Sequence, residues 1–312
     1  MLEKLFRDFV GYMEEKKIPM EAVAVGDERK VRAEHHFTAD QPRNIYSHTK
    51  SYVSTAAGIA IADGKLSLDD RVADFFPEKV PAGAQPELSE IRLRHLLTMS
   101  SGFHHPYLMG PDRRSGTGAP DYLGYMLSRP VEVTPGSEFT YSSGDSILAG
   151  RMIEKAVGQR LGAYMYERIF RPLGQGYPLW EHGPEGHAIG GGGMHMTLTN
   201  MMKLGQLYLA DGVWDGQRLV EHDWIVEATK KQIETPVPAG KTDFWKVGYG
   251  YQFWMSPYPD AYRADGAFGQ ITTVLPSCGL VVAMQCPESG DVKASIRALH
   301  EHLIVPLVNG EG

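Results

Sequence analysis

Cysteine is nearly absent from this chain of 312 residues: only Cys278 and Cys286 occur, both within stretches that read as paired strands. They do not amount to a disulfide framework and read as buried, reduced thiols, which fits the cytoplasm. Long apolar runs are missing as well. No unbroken stretch approaches the roughly 18 residues of a spanning helix, so no membrane partner is expected. Positive charge is in deficit, with 31 Lys and Arg against 38 Asp and Glu and a net charge of −7. That balance argues against nucleic acid or an anionic membrane as partner. The first segment carries an apolar stripe of Leu2, Leu5, Phe6, Phe9, Val10 and Met13 interrupted by acidic residues, with no small-residue cleavage site after it. It reads as an amphipathic helix rather than a secretory signal.

Several chemical signatures are also lacking. There is no Gly-x-Ser-x-Gly elbow, which excludes an α/β-hydrolase. The run Gly190 to Gly193 is followed by no Lys-Ser/Thr pair; it is not a phosphate loop, and is expected to let backbone pass close to a pocket or a helix. The histidines at 104, 105, 182, 187, 195, 300 and 302 show no paired zinc spacing. No metal or other cofactor is expected.

What is present centres on Ser47-His48-Thr49-Lys50. Residues 47–63 read as one helix closing on Asp63-Gly64, with Val53, Ala56, Ala57, Ala60 and Ile61 on its buried face. Ser47 and Lys50 are three residues apart at the first turn and so share a face. The positive end of the helix dipole disfavours an ammonium there and favours an alkoxide. A desolvated lysine can then stay neutral and take the serine proton. The tetrad by itself would arise by chance about once in a chain of this length, and a serine at a helix start is usually a cap. The rest of the chain has to decide.

The remaining pattern suggests an α+β fold. Ala22–Val25 and Lys30–Ala33 read as a hairpin, and helices are expected at 89–99, 121–128, 142–157, 160–170, 199–210 and 221–230. Residues 103–120 and 172–193 read as irregular loops. Period-two alternation appears in Tyr249, Tyr251 and Phe253, then in 270–275 and 280–284, before a last helix over 291–308. Strands at both chain ends imply an antiparallel sheet flanked by helices, with an inserted, mainly helical lobe. Residues 1–46 and 195–312 would form the α/β lobe and 47–194 the helical lobe of a single domain. Ser47 would lie where the lobes meet, a favoured place for a pocket.

Two further constellations stand out. Tyr141-Ser142-Ser143 follows the turn Thr134-Pro135-Gly136 and enters a helix, which could bring a phenol into a cleft. Ala264-Asp265-Gly266-Ala267-Phe268-Gly269 is a glycine-containing entry to a strand, admitting close approach of backbone to a ligand. One N–H there could face that of Ser47 across a pocket as an oxyanion site. Tyr46, Phe103, Tyr107, Trp180 and Phe268 are candidate cleft aromatics.

Ser47-x-x-Lys50, then Tyr141-Ser142-Ser143, then a glycine-containing strand entry, in that order, resemble the serine β-lactamase and penicillin-binding-protein superfamily. Within it the chain is similar to the class C-like branch, which includes esterases, aminopeptidases and 6-aminohexanoate-dimer hydrolases. Supporting stretches are 64–70, 94–102, 135–141, 171–174 and 191–209, so the likeness covers nearly the whole chain. The resemblance implies Ser47 as acylated nucleophile, Lys50 as proton acceptor and Tyr141 as partner in proton transfer and deacylation. It implies the N–H groups of Ser47 and Ala267 as oxyanion hole, with Ser143, Asp265, Gly266, Tyr46, Trp180 and Phe268 contacting substrate.

Two departures bear on specificity. Ser143 stands where the family has an asparagine, and Ala264-Asp265-Gly266 stands where it has a cation-bearing triad. Asp265 would repel a β-lactam carboxylate and could meet a substrate amine. The expected activity is a serine hydrolase acting on an ester or amide of a small neutral or cationic substrate. A weak β-lactamase, a D-amino-acid peptidase or a non-catalytic binder on the same fold are the alternatives.

Overall fold

In the computed structural model, which describes residues 1–236 and 247–310, the strands follow the chain as β1 (Ala22–Gly26), β2 (Val31–His36), β3 (Arg43–Asn44), β4 (Leu179–Trp180), β5 (Met194–Met196), β6 (Val213–Trp214), β7 (Gln217–Arg218), β8 (Trp254–Met255), β9 (Tyr262–Gly266), β10 (Gln270–Leu275) and β11 (Leu280–Gln285). Six of them form an antiparallel sheet in the order β2-β1-β11-β10-β9-β8. The first hairpin therefore pairs with the last one, as the placement of strands at both chain ends predicts. β1 and β10 are buried along their whole length, whereas β2 is a half-exposed edge.

The period of two sorts the strand residues between two apolar layers. Val23, Val25, Ile271, Leu275, Val282 and Met284 face the helix Leu2–Lys16 and the C-terminal helical segment. Ala22, Ala24, Val274, Val281 and Ala283 face the other way, into the larger core that holds the helix Leu198–Leu209 and the inserted helices. Small residues dominate that second face because the helix lies close to it. A Cβ on Gly205 would sit 2.7 Å from the Thr272 methyl and 2.8 Å from a Val281 methyl, so only glycine lets helix and sheet pack at this depth.

Three elements differ from the sequence expectation. The helix foreseen over 89–99 is shorter, Leu93–Leu97, preceded by a tight turn over Pro86–Glu90. Arg92 is extended and bridges to Arg71 before the helix begins, where His95 Nδ1 accepts the Arg92 N–H at 3.2 Å. The strand foreseen through Tyr249, Tyr251 and Phe253 is instead a fold-back: the Gly250 N–H donates to Phe253 O at 2.8 Å and Gln252 has φ of 58°. Only Trp254–Met255 joins the sheet there, while Tyr262–Gly266 is a full strand where a glycine-rich entry was expected. Within the loop 103–120, Gly110–Arg114 forms a turn of helix, its entry held by Asp112 accepting the Met109 N–H at 3.0 Å. Among the described residues, no helix is long and apolar enough to cross a membrane.

Candidate active site

Ser47 sits on a tight turn, Tyr46–His48, that runs straight into the helix Thr49–Ala62. The turn is set locally by Asn44, whose Oδ1 accepts the Tyr46 N–H at 2.8 Å, a side-chain mimic of a backbone turn. Tyr46 itself is held in left-handed backbone, with φ of 48°, conformational strain of the sort that gathers at functional sites. The helix behind Ser47 is buried on all sides, which anchors the turn.

Lys50 lies one turn on and is buried. Its Nζ is 2.7 Å from Gly191 O, 3.2 Å from Ser47 Oγ and 3.3 Å from Ser143 Oγ. Burial, assisted by the nearby charge of Arg113 and opposed by Asp145, pulls its pKa from 10.5 down to about 7. A neutral amine has two N–H groups and one lone pair. Gly191 O and Ser143 Oγ can take the two N–H groups, leaving the lone pair for the Ser47 hydroxyl. Gly191 occupies this place because it lacks a side chain: a Cβ there would lie 2.6 Å from that of Ser143. The glycine run thus brings a backbone acceptor to the lysine.

Tyr141 immediately precedes Ser142, the cap of helix Ser143–Val157, whose Oγ accepts the Gly144 N–H at 3.1 Å. The phenol lies close enough to the Ser47 hydroxyl for the serine to act on its pKa. Lys50 Nζ lies 4.9 Å from the ring centroid, and the ring packs against Trp254 and edge-on to Tyr249. Burial raises its pKa, against the lowering effect of Ser47, and the charge of Asp265 raises it more weakly. The phenol is therefore a held proton rather than a phenolate. Hydroxyl, amine and phenol converge at one point.

The facing wall comes from the turn after β9. Gly266 presses on the loop that carries Ser47; a Cβ there would lie 2.1 Å from Ile45 O. That approach sets Ala267 opposite Ser47, and both line a cleft of about 510 Å³. Tyr46 and Phe268 stand at its edge with ring centroids 5.0 Å apart. Ser143, Met109, Arg113 and Arg114 line it as well.

Five expected contacts fall elsewhere, among them Tyr107, which packs against Phe103 and Tyr125 outside the cleft lining. Trp180 is buried, its indole N–H donating to Ile189 O at 2.9 Å and Gly192 O at 3.1 Å; it supports the glycine run from behind rather than lining the cleft. Asp265 is paired with Arg263, Nε to Oδ2 2.9 Å, with side-chain exposures of 3% for the arginine and 8% for the aspartate. It is not among the residues that line the cleft, although its charge reaches Tyr141. Gly266 is covered by Ile45 and acts through packing, and Phe103 is in the core.

Residues that sequence reasoning did not single out complete the surroundings. Asp145, on the first turn of the helix after Tyr141, is fully buried and accepts the Ser101 hydroxyl at 3.0 Å. Burial pushes its carboxyl up to about 8, opposed by the Ser101 bonds and the Lys50 charge. Near neutral pH the acid is thus mostly protonated and the amine about half neutral, which limits the charge in so dry a place. Arg113 arrives from the short helix Gly110–Arg114, whose only sequence signal was the adjacent arginine pair.

Known proteins share both sequence and shape with this chain. Penicillin-binding protein 4 of Amycolatopsis lactamdurans is 24% identical over 293 residues, covering 79% of this chain and 72% of that protein. Esterase EstB of Burkholderia gladioli is 33% identical over 142 residues, covering 42% of this chain but only 36% of the esterase. A penicillin-binding protein homologue from Caulobacter crescentus superposes with a TM-score of 0.75 at 17% identity, covering 97% of each chain, a likeness of fold. The family model described as Beta-lactamase matches residues 5–303, and the chain belongs to that family.

Proposed function

We propose that the protein hydrolyses an ester or amide of a small substrate through an acyl-enzyme on Ser47. The observation that carries this is the buried amine of Lys50, 3.2 Å from the Ser47 hydroxyl with its pKa brought down to about 7. Lys50 takes the proton as Ser47 Oγ attacks the carbonyl carbon. The N–H groups of Ser47 and Ala267 receive the developing oxyanion, where preorganised donors act most strongly. Tyr141 passes a proton to the leaving group, recovers it from Lys50, and water then releases the acyl group by the reverse route. Because the phenol is held protonated, the base role falls to Lys50 and the donor role to Tyr141. The esterase relative favours an ester over a β-lactam, as does the absence of a side-chain cation at 264–266. A reducing compartment fits the two free thiols.

The test is active-site labelling. A fluorophosphonate and p-nitrophenyl acetate should acylate wild type and not Ser47→Ala, with the adduct found on Ser47 by mass spectrometry. No labelling of wild type would favour a binding protein on the same fold. A stable penicilloyl adduct with no ester turnover would favour the penicillin-binding reading.

A further inference from the structure

The cleft beside Ser47 is lined by more cationic charge than its surroundings neutralise. Arg113 is half-buried, and its Nη1 donates to Leu108 O at 2.6 Å. Its Nη2 points at the glycine run, 3.8 Å from where a Cβ on Gly192 would stand, one residue beyond the carbonyl that holds Lys50. Nε and Nη2 remain as donors, since a guanidinium carries five N–H groups. Arg114 is exposed on the same wall. Among the described residues neither arginine has a carboxylate within ion-pair distance.

Of the acids nearby, Glu181 and Asp112 bear on Arg113 through their charge, but neither is in ion-pair contact with it. Glu181 lines the cleft, and its carboxylate accepts from Asn44 Nδ2 at 3.4 Å. Glu288 accepts the phenol of Tyr46. Asp265, which the sequence suggested as the charge facing the substrate, is held by Arg263. Two arginines therefore face the cleft with one carboxylate between them, in a chain whose overall charge is −7. A partly desolvated cation left unpaired is unfavourable in the empty protein and favourable once an anion arrives.

The geometry points to Arg113 and Arg114 as an anion-recognition site for the substrate, which makes the substrate class a carboxylate-bearing ester or amide. This inference rests on the hydrolase reading above for the reaction, but not for the binding. It reverses the specificity suggested by Asp265. It also moves the carboxylate contact from the strand β9 triad to the helix Gly110–Arg114, where the planar fork of arginine can engage both carboxylate oxygens.

The experiment pairs each acid with its own methyl ester. Mono-p-nitrophenyl glutarate against p-nitrophenyl methyl glutarate puts the anion on the acyl side. The pair 4-acetoxybenzoate and methyl 4-acetoxybenzoate puts it on the leaving group. Wild type should favour the acid in at least one pair by about 10- to 100-fold in kcat/KM, as expected for a charge-assisted contact. Added salt should weaken that preference. It should fall toward unity in Arg113→Gln and Arg114→Gln and survive in part in Arg113→Lys. Calorimetric titration of Ser47→Ala with glutarate reads the site without turnover; binding should be salt-sensitive and lost on adding Arg113→Gln. No acid preference in either pair together with no glutarate binding overturns the anion site, even if Ser47 is labelled. Glutarate binding without Ser47 labelling would uphold the anion site and overturn the hydrolase.

Discussion

The side-chain nitrogen of Lys50 lies 3.2 Å from the hydroxyl oxygen of Ser47, inside a wall that leaves the lysine no solvent. The two residues are neighbours on one helical turn, yet the chemistry depends on what the rest of the chain places around them. Gly191 supplies the acceptor for the amine and Arg113 a cationic field, and the Tyr141 phenol, kept protonated by burial, lies close by.

The pH dependence follows from the amine. Lys50 accepts a proton only when neutral, so kcat/KM for a neutral ester should rise with pH through a limb near 7, the value to which burial and Arg113 bring it. Removing the cation relaxes that depression, and Arg113→Gln should carry the limb to higher pH. Asp145 acts in the opposite sense. A pH–rate profile checks both; a profile flat from about pH 5 to 9 would remove Lys50 as the base.

Tyr141→Phe keeps the ring against Trp254 and Tyr249 and removes only the phenol oxygen. We expect kcat/KM to fall by roughly 10²- to 10⁴-fold, the usual worth of a positioned proton donor. The melting temperature should barely move. Steady-state kinetics beside a thermal melt separate the two effects, and unchanged turnover would return Tyr141 to a packing role.

The buried lysine should weaken the fold in a pH-dependent way. Its pKa drops from 10.5 in the open chain to about 7 in the folded one. The stability of the folded state with respect to this group is complete above 10.5 and is lost as pH falls toward 7. Lys50→Met does not titrate, so its stability relative to wild type should grow as pH falls across that window, by on the order of 5 kcal/mol. Urea melts of both proteins over the pH range give the slope. A difference independent of pH would mean that the amine is charged and solvated.

Asp265→Ala leaves Arg263 without its buried carboxylate partner. Stability should fall by about 3–5 kcal/mol, as when one member of a buried pair is removed. The preference between amine-bearing and neutral esters should stay as it was, because the carboxylate is tied to Arg263 and does not line the cleft. Denaturant melts and a matched ester pair provide the check; altered amine preference with normal stability would restore Asp265 to the binding site.

Much of the fold was legible because its signals are local. Alternation in Ala22–Val25, Gln270–Leu275 and Leu280–Met284 marks strands buried on two faces, and the helical spacing of Val53, Ala56, Ala57 and Ala60 marks a buried helix. Local pattern misled where tertiary contacts override it. Tyr249 to Phe253 alternate like a strand, but Gly250 and left-handed Gln252 fold them back. The aspartate at 265 looked like a substrate ligand because Ala264-Asp265-Gly266 stands where the family has its cation-bearing triad, and its pairing with Arg263, two residues away on the same strand, shows only in the fold.

From the order of its residues alone, this chain determined its family, its sheet of two distant hairpins and the serine–lysine pair on one helical turn, since each depends on spacing along the chain. Only the folded molecule decided that burial draws the lysine's pKa down to about 7, that a glycine carbonyl holds it, and that Asp265 pairs with Arg263 while two arginines line the cleft. Desolvation and charge pairing depend on which distant segments come to lie within a few ångströms of one another, and no local period in a sequence encodes that.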